Sequence, residues 1–469
     1  MKVSKEQKAS LFAWLQRLVG AGIIVTAIPA GINLFAMGVI PDKYLYIIVP
    51  LYVIVAGVVL WQLMCRSKAV WRGVLFMVIG MVMITVNIAV YKSGHSVNSF
   101  LNAVQPPQVN YVEYTVIAKK NRSVVLDSAR SVGMVGADTL RDKAAKALAG
   151  VTPAAQSSYD SLMALTEQLN TGAVELASIR TANMGVLQEN YREFYDSVAT
   201  LATYKVRDDD RRAAPKTDVT KPFVLYISGI DTYGDVGEVS RSDVNMLAVM
   251  NPAKRTILLV NTPRDYYVQL HGVASMPDKL THAGIYGIDM SRQTLGDLYG
   301  VEIPYYVRLN FTSLVKMVDV VGDITVDSDY AFHSFQAGKN TLDSKRTLEF
   351  ARERYSFGDG DRQRGRNQQK VIEAIVAKMS EPRNLTRYNA ILSTLQSSLQ
   401  TNMSQETIAS LIKMQLNDFK GWRVESMSVD GAGATRQTYS MGAMPLYVMI
   451  PDSASIERAK ERIGEYLQP

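Results

Sequence analysis

The 469-residue sequence predicts a membrane-anchored α/β protein with three transmembrane helices, an exported α+β segment, and a C-terminal domain with a sheet between helices. Three observations lead there. The first 92 residues hold three long uncharged apolar runs, and the remainder has an ordinary globular composition. From Phe223 onward, short apolar runs alternate with amphipathic ones. The expected parts are 1–92 for tail and spans, 93–206 for an accessory domain, 207–222 for a linker and 223–469 for the C-terminal domain.

The apolar runs are Leu18–Ile40, Tyr44–Cys65 and Gly73–Tyr91. About 20 apolar residues cross the hydrocarbon core as a helix, so each is long enough. A cleaved signal peptide would have a shorter apolar core and no further spans behind it. Lys2, Lys5, Lys8 and Arg17 precede the first span, and Arg66, Lys68 and Arg72 separate the second from the third. The loop between the first two spans holds only Asp42 and Lys43. Cations in short loops stay on the cytoplasmic side. The amino terminus is therefore expected inside and everything after Lys92 outside. Cys65 is the only cysteine, which excludes an internal disulfide and thiol chemistry outside. The net charge of +7 suits anionic lipid, polyphosphate or nucleic acid alike and does not choose among them.

In the exported part, "EYTVIAKK" reads as a strand, and Tyr159–Leu169 and Met184–Leu201 show helical spacing. Val206–Pro222 is charged, proline-bearing and aperiodic, as a linker is. Phe223–Ser228, Asn245–Met250, Arg255–Asn261 and Tyr305–Asn310 are short buried-strand runs. Asn310 caps an expected helix at Thr312–Val320, which stops at Gly322 and is followed by the strand "DITV". Helices are expected at Ser344–Phe350, Gly365–Met379, Gln405–Phe419 and Ser455–Tyr466, with a strand near "LYVMI".

Ligands of such sheets bind at strand ends. Asp231 follows the first strand of this domain, and Asp243 immediately precedes the next. If the two strands are antiparallel neighbours, both carboxylates reach one end of the sheet, where they could hold magnesium with phosphate oxygens completing its shell. Asp235 is a third carboxylate in that loop. Arg241 sits two residues before Asp243, and Arg264 follows the third strand. Arg352 and Arg354 are two apart, so an extended backbone would aim them the same way. Asp361, Arg364 and Gln368 are spaced for one helix face. Arginine forks bind phosphate bidentately. The alternative is a solvated face of arginines paired with Glu349, Glu353, Asp359 and Asp361, and loop aspartates that serve as caps.

The order of these motifs resembles the LytR–CpsA–Psr family of cell-envelope phosphotransferases. The residues that carry the likeness are Asp231, Arg241 and Asp243 of "SRSD", Arg264 of "PRD", Lys279 in "DKLTHAGIYG", Arg352 and Arg354 of "ARER", and the Asp361–Arg364–Gln368 set. Three spans plus an extra exported domain resemble the capsule-associated branch, CpsA or Wzg. His282 stands where many relatives carry a small residue. The resemblance implies an αβα sandwich with a central mixed sheet, a Gram-positive-type cell membrane location, and transfer of a glycan phosphate from a polyprenyl-pyrophosphate carrier to peptidoglycan. It implies magnesium or manganese on Asp231 and Asp243. Arg241, Arg264, Lys279, Arg352, Arg354, Arg364 and Gln368 would lie on the pyrophosphate, and Arg264, Arg352, Arg354 and Asp361 in the catalytic set. Two other functions compete: a non-enzymatic regulator acting through capsule-assembly partners, and a lipid or glycan carrier without turnover. The basic tail before the first span has no helix-turn-helix or zinc module, which argues against nucleic acid.

Overall fold

The structure, a computed structural model, describes residues 5–65, 70–103, 110–208, 218–230, 240–358, 360–379, 381, 394, 399–418 and 420–469. The chain divides into two compact units. The first is Met1–Ala103 with Pro382–Gln396 and Ser404–Lys420; the second is Val104–Glu381 with Ser397–Met403 and Gly421–Pro469.

The apolar runs of the first unit form helices α1 (Lys5–Ala36), α2 (Asp42–Met64) and α3 (Val70–Ala103). Each is long and apolar enough to cross a membrane. Large apolar side chains such as Ile28, Ile54 and Val82 face outward, while Ile23, Val59, Leu63 and Met83 pack together inside. Asn87 joins the three helices: its Nδ2 donates to Thr26 Oγ1 at 3.0 Å, and its Oδ1 accepts from Tyr52 at 2.9 Å. Such contacts hold helices together where the surroundings are apolar. A helix from far along the chain, Gln405–Asp418, belongs to the same unit. Its Lys413 donates to both oxygens of Asp42, at 3.0 and 2.9 Å, and the carbonyl of Asn417 accepts from Lys43.

The second unit opens with a five-stranded sheet. Its strands are β1 (Asn110–Lys119), β2 (Ser131–Val135), β3 (Ala155–Tyr159), β4 (Leu176–Arg180) and β5 (Val198–Asp208), in the order β3-β2-β4-β1-β5. Helix α4 (Arg141–Leu148) covers one face through Ala144 and Leu148. On the other face, α5 (Leu162–Thr171), α6 (Thr181–Asn190) and α7 (Arg192–Ser197) bring Leu165, Leu169, Val186, Leu187 and Phe194. Helical spacing predicted one helix as far as Leu201, but the chain breaks at Tyr191 (φ −139°) and Val198 begins a strand. The β-branched run Val198, Thr200 and Thr203 fits a pleated surface better than a helix.

A six-stranded mixed sheet follows. Its strands are β6 (Phe223–Ile230), β7 (Val244–Asn251), β8 (Thr256–Thr262), β9 (Tyr305–Asn310), β10 (Leu399–Thr401) and β11 (Arg423–Ser428), in the order β10-β9-β6-β7-β8-β11. β6 and β7 run antiparallel, as do β7 and β8, whereas β9 is parallel to β6 and β11 to β8. All seven residues of β8 are buried, which is why this strand reads as a continuous apolar run and not as an alternation. The main helices are α8 (Ile288–Tyr299), α9 (Phe311–Val321), α10 (Ser344–Arg352), α11 (Asp361–Met379) and α12 (Ser453–Leu467). Tyr226, Leu247, Val249 and Val260 meet α8 and α12 on one face; Ile227, Met246, Ala248 and Leu259 meet α11 on the other. Asn310 starts α9 with a reciprocal cap: its Oδ1 accepts from Ser313 N at 2.9 Å, and its own N donates to Ser313 Oγ at 3.2 Å. The "DITV" strand (Ile324–Ser328) pairs with Gly338–Leu342 in a separate hairpin, and Gly442–Pro451, which holds "LYVMI", pairs with Gly431–Thr438 in another.

The two halves of this unit share a core, because Ile285, Met441 and Leu446 pack among the α5 and α6 side chains. Arg180, buried just before α6, joins them electrostatically. It donates to Asp138 Oδ1 and Oδ2 at 2.5 and 2.9 Å, and to the Ile285 carbonyl at 3.2 Å.

A candidate anion-binding active site

The site begins where β6 and β7 meet. Gly229 pairs with Val244, and Asp243 N donates to the Gly229 carbonyl at 2.9 Å, which continues the ladder one residue before β7. Ser242 turns inward: its Oγ lies 2.7 Å from Ser228 Oγ and 2.8 Å from Tyr226 OH, and its carbonyl accepts from Asn245 at 2.9 Å. In extended chain, neighbours of an inward residue point the other way. Arg241 and Asp243 accordingly face the cleft described below. Gly284 lies against this segment so closely that a Cβ there would stand 2.6 Å from Ser240 O and 2.7 Å from Ser242 N. Only glycine allows that approach.

Arg264 follows β8 and returns to Asp243. Its Nη1 donates to Asp243 Oδ1 at 3.0 Å, and Thr281 Oγ1 donates to the same oxygen at 3.2 Å. Thr281 is held in turn by its N–H to the Arg264 carbonyl, 2.8 Å. Lys279 is buried one step behind, with Nζ 2.7 Å from Asp265 Oδ1, and is not among the side chains lining the cleft. It braces the residue next to Arg264. His282 is also buried, with Nδ1 2.7 Å from Asp278 Oδ1 and 2.8 Å from Ser440 Oγ. This polar knot steadies the loop.

Arg352 is the last residue of α10, and Glu353 then turns extended (φ −64°, ψ 129°). The Glu353 carboxylate gathers the backbone N–H groups of Tyr355 and Ser356, at 2.6 and 2.8 Å, and His333 Nε2 at 2.7 Å. Burial alone would raise its pKa; His333 and those N–H groups outweigh it and hold the pKa down at about 2. The anchored turn leaves Arg352 and Arg354 lining the same cleft. Arg364 and Gln368 lie four apart on α11, which approaches β8 at Gly365, where a side chain would collide with Asn261. Gln368 donates to the Ala351 carbonyl at 3.3 Å, so it ties α11 to the end of α10.

The result is an open cleft lined by Arg192, Arg241, Arg264, Arg352, Arg354 and Arg364, with Asp243, Glu189, Gly185, Gln188 and Tyr355. Burial would push the Asp243 carboxyl up, but Arg264, Arg241 and Arg364 outweigh it and hold it below its ordinary range. Arg241 is shifted down, chiefly by burial. Next to the cleft is an apolar slot between β6, β9, α9 and α11, lined by Ile227, Ile230, Val244, Leu309, Leu314 and Ile372. Asp243 borders both cavities, and Gln368 borders the slot.

Of the residues singled out in the sequence, Arg241, Asp243, Arg264, Arg352, Arg354 and Arg364 meet in the cleft. Asp231 and Asp235 lie outside the described residues, and Asp361 is the first residue of α11 with its side chain outside them. Among the described residues no group of three or more His, Cys, Asp or Glu side chains could hold a metal ion. Asp243 nonetheless fits magnesium chemically. It is a hard carboxylate donor among guanidinium groups, the side chains that suit phosphate, and magnesium is commonly held by one or two carboxylates plus phosphate oxygens and water.

Sequence reasoning missed the contribution of the accessory segment. Glu189, at the end of α6, ion-pairs with Arg241, and its Oε1 accepts from Arg264 Nη2 at 3.1 Å. Arg192 lines the cleft from the start of α7. Arg308, buried on β9, donates to Ser240 Oγ at 3.3 Å, and its place in the run Tyr305–Asn310 marks it only as part of a strand. No local motif marks any of the three.

The chain is similar to known proteins in sequence and in structure. The sequence profile of the LytR_cpsA_psr family matches residues 191–461. The polyisoprenyl-teichoic acid–peptidoglycan teichoic acid transferase TagU of Enterococcus faecalis is 32% identical over 209 residues, which cover 43% of this chain and 68% of that one. The transferase of the same name from Bacillus cereus is 30% identical over 234 residues, covering 48% and 75%. Bacillus subtilis TagV, a crystal structure, is 24% identical and aligns over 53% of this chain and 99% of its own, with a TM-score of 0.44. With its profile matched over more than half of the sequence and its arginine-lined cleft at the ends of a mixed sheet, this chain belongs to the LytR–CpsA–Psr family.

Proposed function

We propose that this protein is a membrane-anchored phosphotransferase. It would move a glycan phosphate from a polyprenyl-diphosphate carrier to a hydroxyl of peptidoglycan, attaching a capsular or comparable wall polysaccharide. One observation carries the reading: Asp243 borders both a cleft lined by six arginines and an apolar slot. A single ligand with a strongly anionic head and an apolar tail matches both. The relatives named as teichoic acid transferases support the same reaction class.

In the proposed reaction the acceptor hydroxyl oxygen attacks the phosphorus that bears the glycan. The bond from that phosphorus to the bridging oxygen breaks, and polyprenyl phosphate leaves with the electron pair. The hydroxyl proton passes to solvent. Catalysis of this kind is mainly positioning and charge stabilisation. Arg241 and Arg264 lie where they could grip one phosphate, and Arg352, Arg354 and Arg364 could take up charge on the leaving phosphate. Asp243, with Asp231 as the sequence suggests, would hold magnesium or manganese, which would neutralise diphosphate oxygens when bound. Leu314, Ile372 and their neighbours would receive the proximal prenyl units.

The catalytic part would act on the outer side of the membrane. Loop cations support that orientation, and so does the helix Gln405–Asp418, which meets Asp42 and Lys43 at the start of α2, next to the cation-poor connection from α1. The test is release of polyprenyl phosphate from a carrier-linked glycan by purified full-length protein with magnesium. Turnover by the unaltered chain and its loss in Arg352→Ala are expected. Intact return of the carrier-linked glycan by the unaltered chain would replace the enzyme with a carrier.

A further inference from the structure

We propose that Glu189 of the accessory segment is an internal anion that occupies the arginine cleft and is exchanged for the phosphate of the incoming ligand, so that it sets how tightly the cleft holds anions. The inference rests on the phosphotransferase reading and adds a determinant from outside the six-stranded sheet. Glu189 bridges Arg241 before β7 and Arg264 after β8. These two residues come from different loops, and Asp243, between them in the cleft, takes the inner side of Arg264. A carboxylate held by two guanidinium groups makes the same kind of charge-assisted, two-oxygen contact that a phosphate makes. Glu189 therefore takes up donors that a phosphate would otherwise use.

Its setting shows that the arginines hold it there. Glu189 is the penultimate residue of α6, at the end of the helix that carries partial negative charge, where a carboxylate is disfavoured. The start of α6 is fixed: Arg180 is buried against Asp138 and reaches the Ile285 carbonyl. At the far end the Glu189 side chain is 38% exposed while Arg264 is 11% exposed, so the carboxylate borders the solvent into which it would move when a phosphate takes its place. After transfer, the phosphate now joined to the acceptor is the group at Arg241 and Arg264, and a returning Glu189 would compete with it there. The residue would thus weaken retention of that product.

The experiment measures binding of farnesyl diphosphate and farnesyl phosphate, with magnesium, to the full-length chain in detergent. The unaltered protein, Glu189→Gln and Arg264→Ala are compared, and thermal unfolding verifies that each is folded. Glu189→Gln keeps the shape and removes the competing charge. Two partly exposed ion pairs correspond to roughly a two- to thirtyfold gain in affinity for both probes. Equal or weaker binding by Glu189→Gln overturns the inference, and if Arg264→Ala still loses binding the phosphotransferase reading survives that result. Loss of all binding by the unaltered chain, unchanged in Glu189→Gln, overturns both. Tighter binding in Glu189→Gln together with loss in Arg264→Ala supports the exchange.

Discussion

Replacement of Arg264 by alanine is the perturbation whose consequences are best defined. The charge contacts of its guanidinium include Asp243, Glu189 and, at 3.8 Å, Asp265. The bond to Asp243 joins two side chains that are 11% and 8% exposed, and hydrogen bonds to charged groups in such places contribute about 1.5–3 kcal/mol. The contact with Glu189, 38% exposed, adds only about 0–1 kcal/mol. Arg264→Ala should therefore cost roughly 1.5–4 kcal/mol of stability. It should also change the pH dependence. Asp243 is depressed by Arg264, Arg241 and Arg364 against its burial, so it stabilises the fold above its unfolded pKa, and this contribution is lost as pH falls through the lower native value. Without Arg264 the native value rises, and acid unfolding should begin at higher pH. Turnover of the carrier-linked glycan should fall by about ten- to 150-fold, the equivalent of one charge-assisted contact. Thermal unfolding across acid pH and a release assay measure both effects. Superimposable unfolding curves at every pH, with turnover within twofold of the unaltered chain, would refute the reasoning.

Three further outcomes follow from the same geometry. Leu314→Trp should fill the apolar slot, so that turnover of a long-chain prenyl substrate falls while binding of inorganic pyrophosphate, which has no chain to place there, falls much less; equal losses for both ligands would count against the slot. Gly284→Ala must push Ser240 and Ser242, and Arg241 with them, so both melting temperature and pyrophosphate affinity should drop, by about 1–3 kcal/mol in stability as for other overpacked sites. Glu353→Gln should flatten the loss of stability as pH falls below about 4.5 toward about 2, because the depressed carboxyl is what titrates there, and should lower turnover by loosening the turn between Arg352 and Arg354. An unaltered acid profile would discount that role.

The core strands were legible because burial on both faces leaves continuous apolar runs, as in Phe223–Ile230 and Thr256–Thr262. Asn310 announced α9 because a cap is a local bond between residues three apart. The antiparallel pairing of β6 and β7, posed as a condition from the sequence, brings Asp243 to the end where Arg264 lies. Elsewhere the information is not local. Lys279 belongs to the motifs that carry the resemblance, yet its ion-pair partner is Asp265, and it does not line the cleft. The hairpin pairing of Ile324–Ser328 depends on Gly338–Leu342 and not on its own residues. Glu189 is one glutamate on a helix, and only the packing of α5 and α6 against Ile285, Met441 and Leu446 carries it to two arginines far along the chain. Spacing rules reach one turn or one strand; this contact spans two subdomains.

A crystal structure of the protein with a prenyl diphosphate and magnesium tests the cleft and slot together. Phosphate oxygens are expected within hydrogen-bond distance of Arg241, Arg264, Arg352 and Arg364, the metal on Asp243, and the first prenyl units against Leu314 and Ile372. A diphosphate bound away from these arginines, or a prenyl chain lying outside the slot, would contradict this placement.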